Sequence, residues 1–197
     1  MSKHRIEALT DSIFAVAMTL LVIELRLPDN QVPADLARGV AHLIPKFVAW
    51  IISFFVLGIF WFSHHRLFHY VRHVDETLVW LSILYLSLVS LMPFSSAITG
   101  EFAPVLFSQI FYSGNMMLLA AVAWAISRHV DRHPGLQGEP MGPGFYRAAR
   151  FRMVGLMSIA VVTVGIARLV PGTGNVAFML MWPISVVSRR IERRATS

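Results

Sequence analysis

Six long apolar stretches divide this 197-residue chain, and they constrain its fold more than any other feature. A helix needs about 20 mostly apolar residues to cross the hydrocarbon core of a bilayer. We therefore predict an all-α integral membrane protein with six transmembrane helices, in which residues 1–197 form a single domain. The predicted spans lie at about residues 9–27, 43–62, 78–98, 103–127, 153–169 and 176–188.

Composition supports a membrane protein and argues against an enzyme. Hydrophobic residues make up 56% of the chain and charged residues only 14%, whereas a soluble domain is about a quarter charged. With no cysteine, the chain has no disulfide, thiolate metal site or Cys nucleophile. It also lacks the nucleophile elbow and the H-E-x-x-H zinc motif, and its P-G-T-G segment is too short for a phosphate loop. We therefore expect neither an enzyme nor a bound cofactor.

The net charge of +6 is explained by its position along the chain. If the chain starts in the cytoplasm and crosses six times, 13 of its 17 Lys and Arg residues lie inside. Cytoplasmic loops of membrane proteins carry such an excess of positive charge. This distribution predicts that both termini are cytoplasmic and requires no nucleic-acid partner. The basic C-terminal segment is then expected to orient the last helix and to touch anionic lipid.

The first span contains charged residues that need a partner or water. A charge at the centre of a membrane helix costs about 2.5 to 3.5 kcal/mol on insertion scales. Arg5 and Asp11 are six residues apart, about 600° of rotation, so they point to roughly opposite sides of the helix. Each is expected to meet a partner on another helix or subunit. Alternatively, Arg5 is an anchor on the cytoplasmic side, and the helix dipole favours Asp11 near the N-terminus.

The same span carries an apolar stripe with two possible interpretations. Val16, Thr19, Ile23 and Leu27 follow one another at spacings of 3, 4 and 4, with Leu20 beside them. Such a stripe is often a packing face inside a subunit. When several copies of a helix surround an axis, it can instead line a pore, and its apolar rings can gate by dewetting.

The second span ends in a segment rich in histidine. His65, His69 and His73 have the spacing i, i+4, i+8 and could share a helix face for metal or haem ligation. No carboxylate or thiolate accompanies them in this spacing, and His and Trp are ordinary at a membrane interface. We predict no metal site and favour a histidine that hydrogen bonds to hold the first helix.

Three motifs together resemble the prokaryotic members of the transmembrane protein 175 family of potassium channels. Arg5 with residues 9–11 corresponds to the family's R-x-x-x-F-S-D signature, with Leu and Thr in place of Phe and Ser. The second span ends in the family's W-x-x-H-H-x-x-F pattern, and residues 92–100 carry its Pro-Phe stretch leading to a Gly. The residues of the second motif are Trp61, His64, His65 and Phe68.

The resemblance implies a homotetramer in the bilayer of a prokaryotic inner membrane, with four first helices around a pore that passes K⁺. Val16 would form the narrow hydrophobic position, Leu20 and Ile23 further constrictions, and Thr19 a hydroxyl ring that K⁺ touches transiently. Leu27 would continue this lining.

The resemblance also implies a polar network that anchors the pore helix at its cytoplasmic end. Its members would be Arg5, Thr10, Asp11, Trp61, His64 and His65.

A secondary transporter is the main alternative to a channel. It would use Asp11 or Glu24 as the carboxylate that couples transport to protons or ions. Transporters of this kind usually contain an inverted repeat, and no convincing repeat relates residues 1–98 to residues 103–188. The sequence therefore favours passive conduction of K⁺.

Overall fold

A computed structural model describes residues 2–26, 39–41, 43–140, 142–170 and 174–194. Short 3₁₀ turns occupy Pro134–Leu136 and Gly174–Leu180. The predicted residue Leu27 lies outside the described residues, and so does most of the connection between the first two helices. The α-helices are α1 (Lys3–Ile23), α2 (Ile44–Tyr70), α3 (Glu76–Ser90), α4 (Met92–Glu101), α5 (Leu106–Arg132), α6 (Pro143–Leu169) and α7 (Met181–Arg194).

Five segments of the described chain are long and apolar enough to cross a bilayer. They correspond to α1, α2, α3 with α4, α5, and α6. The shorter apolar segment Val176–Ser188 takes the sixth place and combines the end of a 3₁₀ turn with most of α7. The chain is thus an all-α integral membrane protein, and the sixth crossing stays a prediction.

The helices extend beyond the apolar stretches that indicated them. Helix α1 begins at Lys3, α2 continues past Phe62 to Tyr70, and α6 begins at Pro143, ten residues before the predicted span at 153–169. Hydropathy marks residues that fit hydrocarbon, whereas a helix continues as long as its backbone hydrogen bonds are made. Proline is favoured in the first turn of a helix because no intrahelical partner is lost there.

The third span is divided between α3 and α4 at Leu91. Pro93 lies in the first turn of α4, where it removes a backbone donor from the middle of the span. The Leu91 N–H still donates to the Ser87 carbonyl at 3.1 Å, and the Ser95 hydroxyl donates to the Met92 carbonyl at 3.0 Å. Both bonds satisfy backbone groups close to Pro93 where no water is present to do so.

Polar contacts define one end of the bundle, which we call the basic end. The N-termini of α1, α3 and α6 lie there with the C-termini of α2, α5 and α7. Four pairs establish this arrangement: Trp61 with Asp11, Arg66 with Glu192, His129 with Asp75, and Arg128 with Tyr146. At the opposite end, Lys46 pairs with Glu101 and joins the start of α2 to the end of α4.

A group of buried hydroxyls joins three helices inside the bundle. The Ser53 hydroxyl of α2 hydrogen bonds to the Ser96 hydroxyl of α4 and to the Tyr112 hydroxyl of α5, both at 2.9 Å. All three side chains are buried. Hydrogen bonds between membrane helices contribute about 0.6 to 2 kcal/mol each, so these bonds fix the relative positions of α2, α4 and α5.

Asp75 links α3 to α5 at the basic end. Its Oδ1 accepts the Leu78 N–H at 2.8 Å and caps α3, and its Oδ2 pairs with His129 Nε2 at 2.8 Å. Burial raises the pKa of Asp75, but the bonds from the Leu78 N–H and from His129 outweigh it, so the net pKa lies below its ordinary value.

We expect Asp75→Ala to lower the free energy of unfolding by about 1 to 2 kcal/mol, because it removes an N-cap. Since the folded-state pKa of Asp75 is depressed, its charge-dependent stabilisation is fully present above the ordinary value of 3.8 and is lost as pH falls through the lower folded value. Thermal unfolding in detergent, measured from about pH 3 to pH 7, tests both statements.

Asp75→Asn is the matched control. Asparagine is as good an N-cap as aspartate, so this variant should keep most of the neutral-pH stability and lose the contribution of Asp75 to the acidic pH dependence. An unfolding curve for Asp75→Ala that matches the wild type at neutral pH would contradict the role of this cap.

Candidate ion pathway

Helix α1 has one face packed against its own subunit. That face contacts α2, α3 and α4. Its buried residues recur at spacings of three and four, which is the period of one helix face. They are Ile6, Thr10, Phe14, Ala17 and Leu21.

The opposite face of α1 is left uncovered by the described residues and forms a continuous stripe. Val16 is 55% exposed and Ile23 is 44% exposed, and Thr19 and Ser12 are exposed on the same side. Leu20 flanks the stripe and is 42% exposed. At 100° per residue, Ser12, Val16, Thr19 and Ile23 all lie within about 60° of one another. The structure therefore places the predicted pathway residues it describes on one side of α1, away from its packing face.

Two hydroxyls on this stripe donate their protons to the helix itself. The Thr19 Oγ1 donates to the Val16 carbonyl and the Ser12 Oγ donates to the Ala8 carbonyl, both at 2.8 Å. A hydroxyl oxygen has two acceptor lone pairs besides its proton. With the proton turned to the backbone, these oxygens can offer lone pairs to a cation.

A hydrogen bond between two helices holds α1 at the basic end. The Trp61 Nε1–H of α2 donates to Asp11 Oδ1 at 2.8 Å. The Trp61 ring also stacks on His65, with ring centroids 5.7 Å apart. A cavity of about 10 Å³ beside this bond is lined by residues that include Thr10, Asp11 and His64. Trp61, His64, His65, Thr10 and Asp11 are thus brought together.

His64 contributes to this region through ring contacts. It is buried, and its ring is stacked between Phe68 at 4.3 Å and Tyr85 at 5.1 Å. Its Nε2 has no hydrogen-bond partner among the described residues. Within the chain, His64 therefore joins α2 to α3 by stacking, whereas sequence reasoning expected a hydrogen bond that holds α1.

Arg5 stands apart from the other network residues. Its side chain is exposed, and no side-chain hydrogen bond or ion pair of Arg5 occurs within the described part of the subunit.

The series of histidines at the end of α2 does not lie on one helix. Because α2 ends at Tyr70, His73 lies beyond the helix, so His65, His69 and His73 do not share a helix face.

Comparison with known proteins finds similarity to one family of channels. A family model described as the endosomal/lysosomal potassium channel TMEM175 matches residues 5–93. The crystal structure of a lysosomal potassium-selective channel TMEM175 homolog from Chamaesiphon minutus is similar along the whole chain. It covers 99% of this chain and 98% of its own, with a TM-score of 0.71 and 25% sequence identity. Residues 5–93 are thus similar to the TMEM175 family, and the whole chain shares the fold of this Chamaesiphon channel homolog.

The match to the TMEM175 family model covers α1, α2 and α3, which carry the stripe and the Trp61–Asp11 bond. A potassium channel of Streptomyces collinus is 37% identical over 98 residues, which are 50% of this chain and 48% of that protein. A potassium channel of a Chryseobacterium species is 33% identical over 132 residues, 66% of this chain and 65% of that protein. The chain thus aligns with about half to two thirds of the length of these curated relatives.

The structure also reveals residues that sequence reasoning did not place. Ser12 lies on the stripe one turn before Val16, and its spacing of four could have identified it. Tyr85 stacks on His64 and meets the Phe14 ring at a tilt of 44°, with centroids 6.0 Å apart, and so connects the anchor region to the packed face of α1. No local sequence pattern indicates this contact between distant helices.

Proposed function

We propose that this protein is a potassium-permeable channel in which four copies of α1 surround a central pathway. The uncovered stripe of α1 carries the proposal. This helix buries one face in its own subunit and leaves Val16, Thr19 and Ile23 exposed on the other. The relatives from Streptomyces and Chryseobacterium are named potassium channels, and the Chamaesiphon protein is named a potassium-selective channel.

A homotetramer gives the stripe a partner. Head-to-tail contacts between identical subunits close into a ring when the rotation between them fits. With α1 at the centre of the ring, its stripe faces the axis while α2, α3 and α4 support it from behind. The bilayer and three further copies of the chain are then the partners of each subunit, and no cofactor takes part.

The residues of the stripe determine how K⁺ passes. Val16 forms the narrowest apolar ring, Leu20 and Ile23 form further constrictions, and Leu27 continues the series on the resemblance to the family. Aliphatic side chains cannot replace the water around K⁺, so conduction requires the constriction to widen and become wet. Thr19 lies one turn from Val16, about 4.5 Å along the axis, where its hydroxyl oxygen can replace part of the hydration shell.

The charge at the basic end supports one orientation in the membrane. Its described cations include Lys3, Arg66, Arg128 and Arg152. Positive charge favours the cytoplasmic side, so both termini lie in the cytoplasm. The resemblance to prokaryotic channels supports a location in the inner membrane of a prokaryotic cell.

Purified protein in liposomes tests the proposal. We expect flux that follows an imposed potassium gradient without any pH gradient. Thr19→Ala should lower the preference for K⁺ over Na⁺ by about threefold to tenfold, because each subunit loses one hydroxyl ligand worth about 1 kcal/mol. Ser87→Ala is the matched control. Ser87 is also exposed and also donates to its own helix, at 2.8 Å from the Leu84 carbonyl, but it lies on α3.

Two outcomes would contradict the channel. Potassium accumulation against its gradient, driven by pH and abolished in Asp11→Asn, would assign a coupled transporter with Asp11 as its carboxylate. A monomeric mass in detergent would leave the stripe without the neighbouring copies that a pore needs.

A further inference from the structure

A groove on the outside of the bundle, between α2, α6 and α7, combines an apolar floor with two arginines. Its volume is about 240 Å³. Phe55, Ile59 and Trp182 form much of the floor, and Arg66 and Arg152 lie at its polar edge. No residue of α1 lines this groove, so it is separate from the proposed ion pathway.

Both arginines are held by neighbouring groups. Arg66 pairs with Glu192, and its Cζ lies 5.8 Å from the ring centroids of both Phe62 and Phe145. Arg152 Nη1 donates to the buried Ser188 hydroxyl at 3.1 Å. Among the described residues of this cluster are two guanidinium groups and one carboxylate, so their summed charge is positive and an anion can neutralise it.

The floor of the groove is exposed apolar surface that continues away from the arginines. Phe55 is 63% exposed and Trp182 is 65% exposed. From Phe55 to Arg66 the helix rises about 16 Å, and one leaflet contributes about 15 Å of hydrocarbon. The groove therefore has the depth of a single leaflet, with its cationic edge at the level of the headgroups.

We propose that this groove binds an anionic membrane phospholipid of the leaflet at the basic end. Its phosphate lies between Arg66 and Arg152, where guanidinium groups form charge-assisted hydrogen bonds to phosphate oxygens. An acyl chain lies along Phe55, Ile59 and Trp182. Basic pockets between membrane helices on the cytoplasmic side bind lipid headgroups in this way. The apolar floor selects a lipid over free phosphate, because free phosphate has nothing to place there.

Native mass spectrometry of the detergent-solubilised channel, titrated with phosphatidylglycerol or phosphatidylcholine, tests the site. We expect the wild type to bind phosphatidylglycerol about tenfold more tightly, and Arg152→Gln to lose most of this preference, because it removes a charge-assisted hydrogen bond to the phosphate. Arg150→Gln is the matched control. It removes the same charge from an exposed position of α6 and should change binding by less than about twofold.

Equal binding of the two lipids by the wild type, or equal losses in Arg152→Gln and Arg150→Gln, would overturn the proposal. The latter result is also expected if a second copy of the chain covers the groove. Displacement of phosphatidylglycerol by an equal concentration of inorganic phosphate would show that the groove recognises phosphate alone and would overturn the lipid assignment.

A second measurement does not depend on the arginine variants. Brominated acyl chains quench nearby tryptophans, so brominated phosphatidylglycerol should quench the wild type more than brominated phosphatidylcholine does. Trp182→Phe should remove most of this difference, since Trp182 lies in the groove. An unchanged difference in Trp182→Phe would place the bound lipid elsewhere and overturn the proposal.

Discussion

Replacing Val16 by asparagine should raise potassium flux in liposomes by about tenfold or more, because a polar ring removes the dewetting barrier of an apolar constriction. Val16 is the most exposed of the large apolar residues on the stripe, at 55%, and four copies would face one another across the axis. The amide offers both donors and acceptors to water. The measurement is the initial rate of potassium flux per reconstituted channel.

Val161→Asn is the control for this experiment. Val161 is also an exposed valine within a span, at 65%, but it lies on α6. It should leave the flux unchanged when equal amounts of folded protein are reconstituted. If Val16→Asn and Val161→Asn conduct alike, and Thr19→Ala also behaves as the wild type, then α1 does not line the pathway.

The residues on each face of α1 were largely predictable, because side chains return to the same direction around the helix axis every 3.6 residues. The spacing of Val16, Thr19 and Ile23 was enough to place them on one stripe. Spacing did not decide whether that stripe packs within the subunit or faces outward. This depended on α2, α3 and α4, which all contact the other side of α1.

The ends of the helices were less predictable than their apolar centres. Residues 63–70 lie beyond the predicted second span at 43–62, yet they continue α2. His64 becomes buried there because Tyr85 and Phe68 cover its ring. Whether a helix continues depends on its backbone hydrogen bonds and on packing against distant residues. Hydropathy averaged along the sequence contains information on neither.

The sequence predicted that Asp11 has a partner but not which residue that partner is. A charged carboxylate inside a membrane costs free energy unless it is paired, so Asp11 was expected to have a partner on another helix. Only the resemblance to the family pointed to Trp61. The groove beside Arg152 had no sequence signal. Arg66, Arg152 and Trp182 are far apart in the chain and meet because α7 returns to lie against α2 and α6.

Trp61→Phe should lower the midpoint of thermal unfolding in detergent by about 3 to 6 °C, because it removes a hydrogen bond to a carboxylate worth about 1.5 kcal/mol. It should also lower the fraction of tetramer, since α1 then loses the bond that fixes it to α2 at the basic end. Trp80→Phe is the matched control. Trp80 is 62% exposed on α3 and should have little effect on either quantity.

Asp11→Asn separates the hydrogen bond from the charge. The asparagine carbonyl can accept the same indole N–H, so a bond-based anchor predicts stability and tetramer fraction close to the wild type. If the charge of Asp11 is what anchors α1, Asp11→Asn should lower the unfolding midpoint and the tetramer fraction as much as Trp61→Phe does. Equal unfolding midpoints for Trp61→Phe and Trp80→Phe would mean that the bond contributes nothing, and that the buried face from Ile6 to Leu21 holds α1 alone.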